Sequence, residues 1–261
     1  MCQPILTISI LSFIGRLFFK SNIKDFHCGL RGYNKEKILA LGLHTTGMEY
    51  ASEMVVMAEL AKYKICEVAT TLKKDGRSRP PHLRSFRDGW RHLKFLFMYS
   101  PRWLFLYPGV VISALGIIGA IILLVGQFKI GSIIFSIHTL LYCSMAIVVG
   151  VTIIYFYIFT KLYAEKSHFI PHDKTIDKFV NFGENKGILV GVGGVITGIV
   201  IAIIALIFWK NNNYGEVSPE ILMRFVIPSA TLIELGIVTI FASFFMGILR
   251  IEWRNDDGKG N

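Results

Sequence analysis

The sequence predicts an α-helical membrane protein with four transmembrane helices, preceded by a smaller cytosolic part. Three observations carry that prediction. Of 261 residues, 53% are hydrophobic and only 18% charged, well below the roughly 25% charged residues of ordinary soluble domains. Four apolar runs each exceed the roughly 20 residues that a helix needs to cross a bilayer. Charge is also divided unevenly: residues 1–102 hold 17 Lys+Arg and 8 Asp+Glu, against 11 and 10 in residues 103–261. A disordered chain is excluded, and two different materials meet near Arg102.

The spans are expected at 103–126, 133–160, 187–209 and 225–249. Backbone polar groups left unpaired in lipid are so costly that such runs fold as helices. Pro228 falls near the start of the fourth run, where a missing N–H matters least. Orientation follows from the cations. Nine Lys/Arg crowd Lys73 to Arg102, and five lysines (Lys161, Lys166, Lys174, Lys178, Lys186) fill the loop between spans two and three. The other two loops hold only Lys129, and Lys210 with Arg224. Both termini are therefore expected in the cytosol, on a multi-pass protein of the cell or inner membrane.

The organisation expected is a cytosolic part over 1–82, an amphipathic interfacial helix over 83–102, a membrane domain over 103–254 and a polar tail over 255–261. Residues Ile5–Phe19 lack the basic start and cleavage site of a signal peptide. They read as a helix packed on the cytosolic part, with a position on the membrane as the alternative. Ile65–Leu72 reads as a strand. Within the membrane part, Gly187, Gly191, Gly194 and Gly198 give steps at which helices approach closely. A faint repeat relates Gly150-Val151-Thr152-Ile153-Ile154 to Gly236-Ile237-Val238-Thr239-Ile240, each in the second helix of a hairpin. Duplication and the short alphabet of membrane helices both account for it.

Candidate chemistry lies in residues 20–102. Asp25-Phe26-His27-Cys28-Gly29-Leu30-Arg31-Gly32-Tyr33 places a carboxylate six residues before a guanidinium, with glycines that permit tight turns. A carboxylate can accept a proton and an arginine suits bidentate phosphate contact, although a surface Asp and Arg beside a turn is the plainer reading. Glu49 and Glu53, four residues apart, share a helix face. Lys73-Lys74-Asp75-Gly76-Arg77-Ser78-Arg79-Pro80-Pro81 is a cationic loop stiffened by two prolines. Beyond it Arg84, Arg87, Arg91 and Lys94 line one helix face, with Phe86, Trp90, Leu93 and Phe97 on the next. That pattern suits a lipid interface. The loop can hold lipid headgroups, or grip a phosphate anchored in the bilayer. Nucleic acid is not an expected partner, since the charge sits against the membrane. Cys2, Cys28, Cys66 and Cys143 make no zinc spacing, no D-x-D triplet or Walker loop occurs, and no metal ligand is assigned. Glu234, inside the fourth span, is a functional candidate by its position alone. A tolerated substitution at a helix interface is the other reading.

These residues carry a resemblance. The Asp25–Tyr33 segment resembles the D-x-x-x-G-x-R segment of membrane-bound family 2 glycosyltransferases, the polyprenyl-phosphate sugar synthases. Gly47–Met54, Glu67–Leu72, the basic loop from Lys73, Ser100–Trp103 and Pro228–Leu232 are similar to blocks that follow it in that family. The resemblance implies that residues 1–82 are a partial α/β glycosyltransferase domain, the C-terminal remnant of a nucleotide-diphosphosugar transferase fold. It implies Asp25 as the catalytic carboxylate, Arg31, Arg77, Ser78 and Arg79 as phosphate-binding, and Glu49 and Glu53 as site-lining. The implied partners are a polyprenyl phosphate, the membrane, and a nucleotide-sugar held by a missing half. A second copy could pack on the glycine-bearing helices. The whole enzyme would take a divalent metal (Mg or Mn), whose ligand motif is absent here, and this chain alone is expected to be inactive. The alternative is a non-catalytic membrane anchor, scaffold or lipid-binding subunit.

Overall fold

The computed structural model describes residues 3–47, 49–71, 85–167, 174–212, 214 and 218–251. The chain divides into two compact units, Met1–Leu104 and Phe105–Asn261.

The first unit holds α1 (Gln3–Phe19), α2 (Lys35–Ala40), α3 (Tyr50–Leu60) and α4 (Ser85–Met98), and α1, α3 and α4 enclose a small core of Leu11, Ile23, Phe26, Val55, Val56, Phe95 and Leu96. Asn34 caps α2, its side-chain oxygen accepting the Lys37 backbone N–H at 3.1 Å. Phe26, 1% exposed, is the plug of this core. It packs against Gly15 of α1, where an added Cβ would stand 3.0 Å from the ring. Asp25, just before Phe26, stays exposed at the start of a turn. On α4 the buried stripe is His92, Phe95 and Leu96, while Trp90 is 62% exposed. The helix thus turns one apolar stripe inward and keeps Trp90, Arg87, Arg91 and Lys94 outside.

The strand expected at Ile65–Leu72 is not formed. Among the described residues, 64–71 are exposed, belong to no helix or sheet, and Val68 is 81% exposed. A strand is stable only through a ladder partner, and no strand lies anywhere among the described residues of this unit. Its α/β character is therefore absent there.

The second unit holds α5 (Tyr107–Val125), entered through a π-helical turn at Arg102–Leu106, then α6 (Ile137–Lys166), α7 (Lys174–Asn211) and α8 (Pro219–Arg250). Among the described residues, four helices are long and apolar enough to cross a membrane: Arg102–Val125, Ile137–Lys166, Lys186–Asn211 and Glu220–Arg250. The second begins four residues later than expected. Phe128–Ile130 and Ile133–Phe135 instead form an antiparallel hairpin, β1 and β2, around Gly131 at φ +60°. A left-handed turn residue and β-branched neighbours favour that hairpin over another helical turn. Pro228 lies within α8 rather than at its edge.

The two hairpins are held together by the same contact made twice. A Cβ on Gly116 would lie 2.7 Å from the Cys143 carbonyl oxygen and 2.9 Å from Ile147 Cγ1; one on Gly198 would lie 2.7 Å from both the Ser229 carbonyl oxygen and Ile233 Cγ1. Gly109 meets the Gly150 carbonyl and Ile154 as Gly191 meets the Gly236 carbonyl and Ile240. The α5 glycines Gly109 and Gly116 correspond to residues 82 positions later in α7, and their partners in α6 to residues 86 positions later in α8. The two hairpins thus repeat one glycine-packing geometry, and duplication and a shared membrane alphabet both still account for it. Between the hairpins, Ser144 Oγ meets Thr231 Oγ1 at 2.6 Å, and the Tyr155 hydroxyl donates to Thr239 Oγ1 at 2.9 Å.

Candidate functional site

The Asp25 loop is fixed from three sides. Arg31 donates through Nε to the Cys28 carbonyl (2.8 Å), through Nη2 to the Phe26 carbonyl (2.8 Å) and through Nη1 to the Ala51 carbonyl of α3 (2.5 Å). Three of its five N–H donors are thereby spent on the backbone, and burial lowers its pKa from the ordinary value. Glu67 closes the opposite side, its Oε1 accepting the backbone N–H groups of Lys24 (2.8 Å) and Asp25 (3.1 Å). Asp25 itself accepts the His27 N–H at 2.8 Å in a tight Asx turn. The carboxylate is exposed and held in place.

Asp25 and Arg31 line one groove of about 1420 Å³, together with Lys24, Lys37, Lys62 and Lys64. Lys37 Nζ lies 5.5 Å from the centre of the Tyr63 ring, which also borders the groove. With five cationic side chains against the carboxylates of Asp25 and Glu67, the groove suits an anion.

Glu49 and Glu53 stand apart from that groove and from one another in role. Glu49 Oε1 accepts from Arg91 Nε at 2.7 Å, while its Oε2 is buried without a partner. Glu53 is 1% exposed and accepts the backbone N–H groups of His44 (3.0 Å) and Thr45 (2.9 Å) and the Thr45 hydroxyl (2.5 Å). It also bonds Tyr99, whose pKa is raised by burial and by this carboxylate. Glu53 is a buried clamp between the loop before α3 and the end of α4.

Arg77, Ser78 and Arg79 lie outside the described residues. Among the described residues no three His, Cys, Asp or Glu side chains converge as metal ligands. The groove lysines and Glu67 were not legible as neighbours of Asp25. They come from separate segments, and only the fold assembles them.

Residues 158–250 match the family described as the glycosyltransferase family 2 C-terminal transmembrane region. Over 233 residues, 89% of its length, the chain is 24% identical to the low-salt glycan biosynthesis hexosyltransferase Agl6 of Haloferax volcanii. That alignment covers 55% of the relative, so the chain spans about half the length of the curated relative it matches. No solved structure matches. With four apolar helices among the described residues, the chain is similar to the C-terminal portion of membrane-bound family 2 glycosyltransferases.

Proposed function

We propose that this chain supplies the acceptor side of an enzyme that moves a hexose from a nucleotide-sugar to a polyprenyl phosphate at the cytosolic face of the membrane. The observation that carries the reading is the exposed Asp25 carboxylate, on a loop whose backbone Arg31 and Glu67 hold at a lysine-bordered groove, in a chain that also holds four apolar helices among its described residues. On this reading a phosphate oxygen of the lipid attacks the anomeric carbon. The bond to the nucleotide diphosphate breaks, and the diphosphate leaves with the electron pair. The attacking phosphate is already anionic at neutral pH, so positioning and charge neutralisation do the catalysis.

Asp25 orients the acceptor, and Arg77, Ser78 and Arg79 hold its phosphate. Arg31 acts differently from the phosphate contact expected of it: with three donors on carbonyls it holds the Asp25 loop in shape. Both termini face the cytosol, as the cation distribution requires. On this reading residues 1–82 take the place of the C-terminal part of a transferase domain. A divalent metal for the diphosphate belongs, on this reading, to the nucleotide-sugar-binding half, on the same or another polypeptide. A non-catalytic anchor is the second reading, favoured by the structural use of Arg31 and Glu53.

In vesicles containing polyprenyl phosphate, labelled hexose should pass to lipid only when this chain is combined with a nucleotide-sugar-binding half. Asp25→Asn should then lower the rate at least a hundredfold. Turnover by these 261 residues alone would refute the need for a second half, and a near-normal rate in Asp25→Asn would remove its role. No transfer with any nucleotide-sugar would leave the anchor.

A further inference from the structure

Three polar side chains that the glycosyl-transfer reading does not use meet inside the first unit. Ser52 of α3 is fully buried and His92 of α4 is 6% exposed, while His27 stands two residues after Asp25. Ser52 Oγ lies 3.3 Å from His27 Nδ1 and 3.2 Å from His92 Nδ1. The two imidazoles meet edge to face, with centroids 4.6 Å apart.

A serine hydroxyl has one proton, so it can donate to only one of these nitrogens and must accept from the other. His27 Nε2 is buried without a hydrogen-bond partner. A buried N–H left idle is rarer and costlier than an idle lone pair, which places the His27 proton on Nδ1. His27 therefore donates to Ser52, and Ser52 donates to His92. The chain runs in one direction, from the Asp25 loop through α3 to α4.

We propose that His27, Ser52 and His92 form a directed hydrogen-bond chain that fastens the Asp25 loop to α3 and α4 while His27 is neutral and releases it when His27 takes up a proton. A proton on His27 would create a buried Nε2–H with no acceptor. The charged and titratable groups facing His27 are His92 from α4 and Asp25 and Arg31 from its own loop, with Ser52 the neutral contribution of α3. Burial first, then His92, holds the His27 pKa down from 6.5 to about 4, with Arg31 lowering it further and Asp25 opposing. A depressed histidine means that the opened loop binds more protons than the closed one between those values. The fastening is complete above pH 6.5 and is lost as pH falls toward 4. His27 and His92 are thus positioning residues, acting on Asp25 through the backbone that carries it.

The test needs neither nucleotide-sugar nor lipid phosphate, so its failure would leave the glycosyl-transfer reading standing. Hydrogen exchange across residues 25–31 is measured on the full chain in lipid nanodiscs at pH 7.5 and 5.0, corrected for intrinsic exchange rates. With a pKa of 6.5 in the open loop and about 4 in the closed one, the open population should rise roughly 25-fold between those pH values. Ser52→Ala should exchange faster already at pH 7.5. His27→Phe should abolish most of the pH response, and His92→Phe separates that loss from misfolding by keeping the rest of the unit's exchange normal. A pH-independent wild type, or a Ser52→Ala variant with wild-type protection and response, would overturn the proposal.

Discussion

Alanine at Gly236 tests how the membrane hairpins are built. Its Cβ would lie 2.6 Å from the Gly191 carbonyl oxygen, 2.7 Å from Val195 Cγ2 and 2.8 Å from the Val195 backbone nitrogen. Ordinary contact begins near 3.4 Å, so the closest pair is 0.8 Å too near, and two of the three atoms are backbone that no side-chain rotation can move. Overpacking of this kind costs about 1–3 kcal/mol. The about 1 kcal/mol by which alanine exceeds glycine as a helix former offsets only part of it. Gly150, the equivalent position in the first hairpin, meets Gly109 and Ser113 backbone at 2.7 and 2.6 Å, so Gly150→Ala should cost a similar amount. Gly193 and Gly247 have nothing within 4 Å, and alanine there should be neutral or slightly stabilising. Thermal unfolding in detergent, with helicity followed by circular dichroism, would rank the four variants. If Gly193→Ala unfolds as early as Gly236→Ala, close packing at the matched glycines does not hold the hairpins.

Other outcomes follow from single side chains. Glu53→Ala should destabilise the first unit by about 2–3 kcal/mol in the same melts, because three donors from His44 and Thr45 lose a buried charged acceptor; Glu53→Gln should recover part of it. Arg31→Lys should lower the stability of the Asp25 loop almost as much as Arg31→Ala, since an ammonium cannot span the three carbonyls. Equal protection of residues 25–31 in wild type and Arg31→Lys would contradict that. Tyr155→Phe, which removes the bond from α6 to Thr239 of α8, should cost only about 0.6 kcal/mol.

Periodicity and hydropathy located the four apolar helices because lipid leaves the backbone no alternative. They misplaced the start of α6, where the short β1–β2 hairpin depends on one left-handed glycine. The strand over Ile65–Leu72 failed for a different reason. Its composition is strand-like, but a ladder is a property of two segments, and the second is absent among the described residues. At the site, the spacing of Asp25 and Arg31 was visible, whereas their division of labour was not. Which groups Arg31 meets depends on where α3 puts the Ala51 carbonyl, and nothing local in the sequence encodes that. Glu53 was expected on the same helix face as Glu49. The core turns it into a clamp for Thr45. His27, Ser52 and His92 are separated by dozens of residues and share no motif, so only packing brings them together.

The central claim is that a lipid-borne phosphate is the acceptor, gripped by the cations ahead of the first apolar helix. Its most direct test is retention of polyprenyl phosphate, against unphosphorylated polyprenol, by the full chain in nanodiscs of neutral lipid. Wild type should retain the phosphate at least tenfold better than the alcohol, and neutralising Arg77, Arg79 and Arg84 together should erase that preference. Equal retention of the two lipids by wild type, or an unchanged preference in the triple variant, would contradict the account.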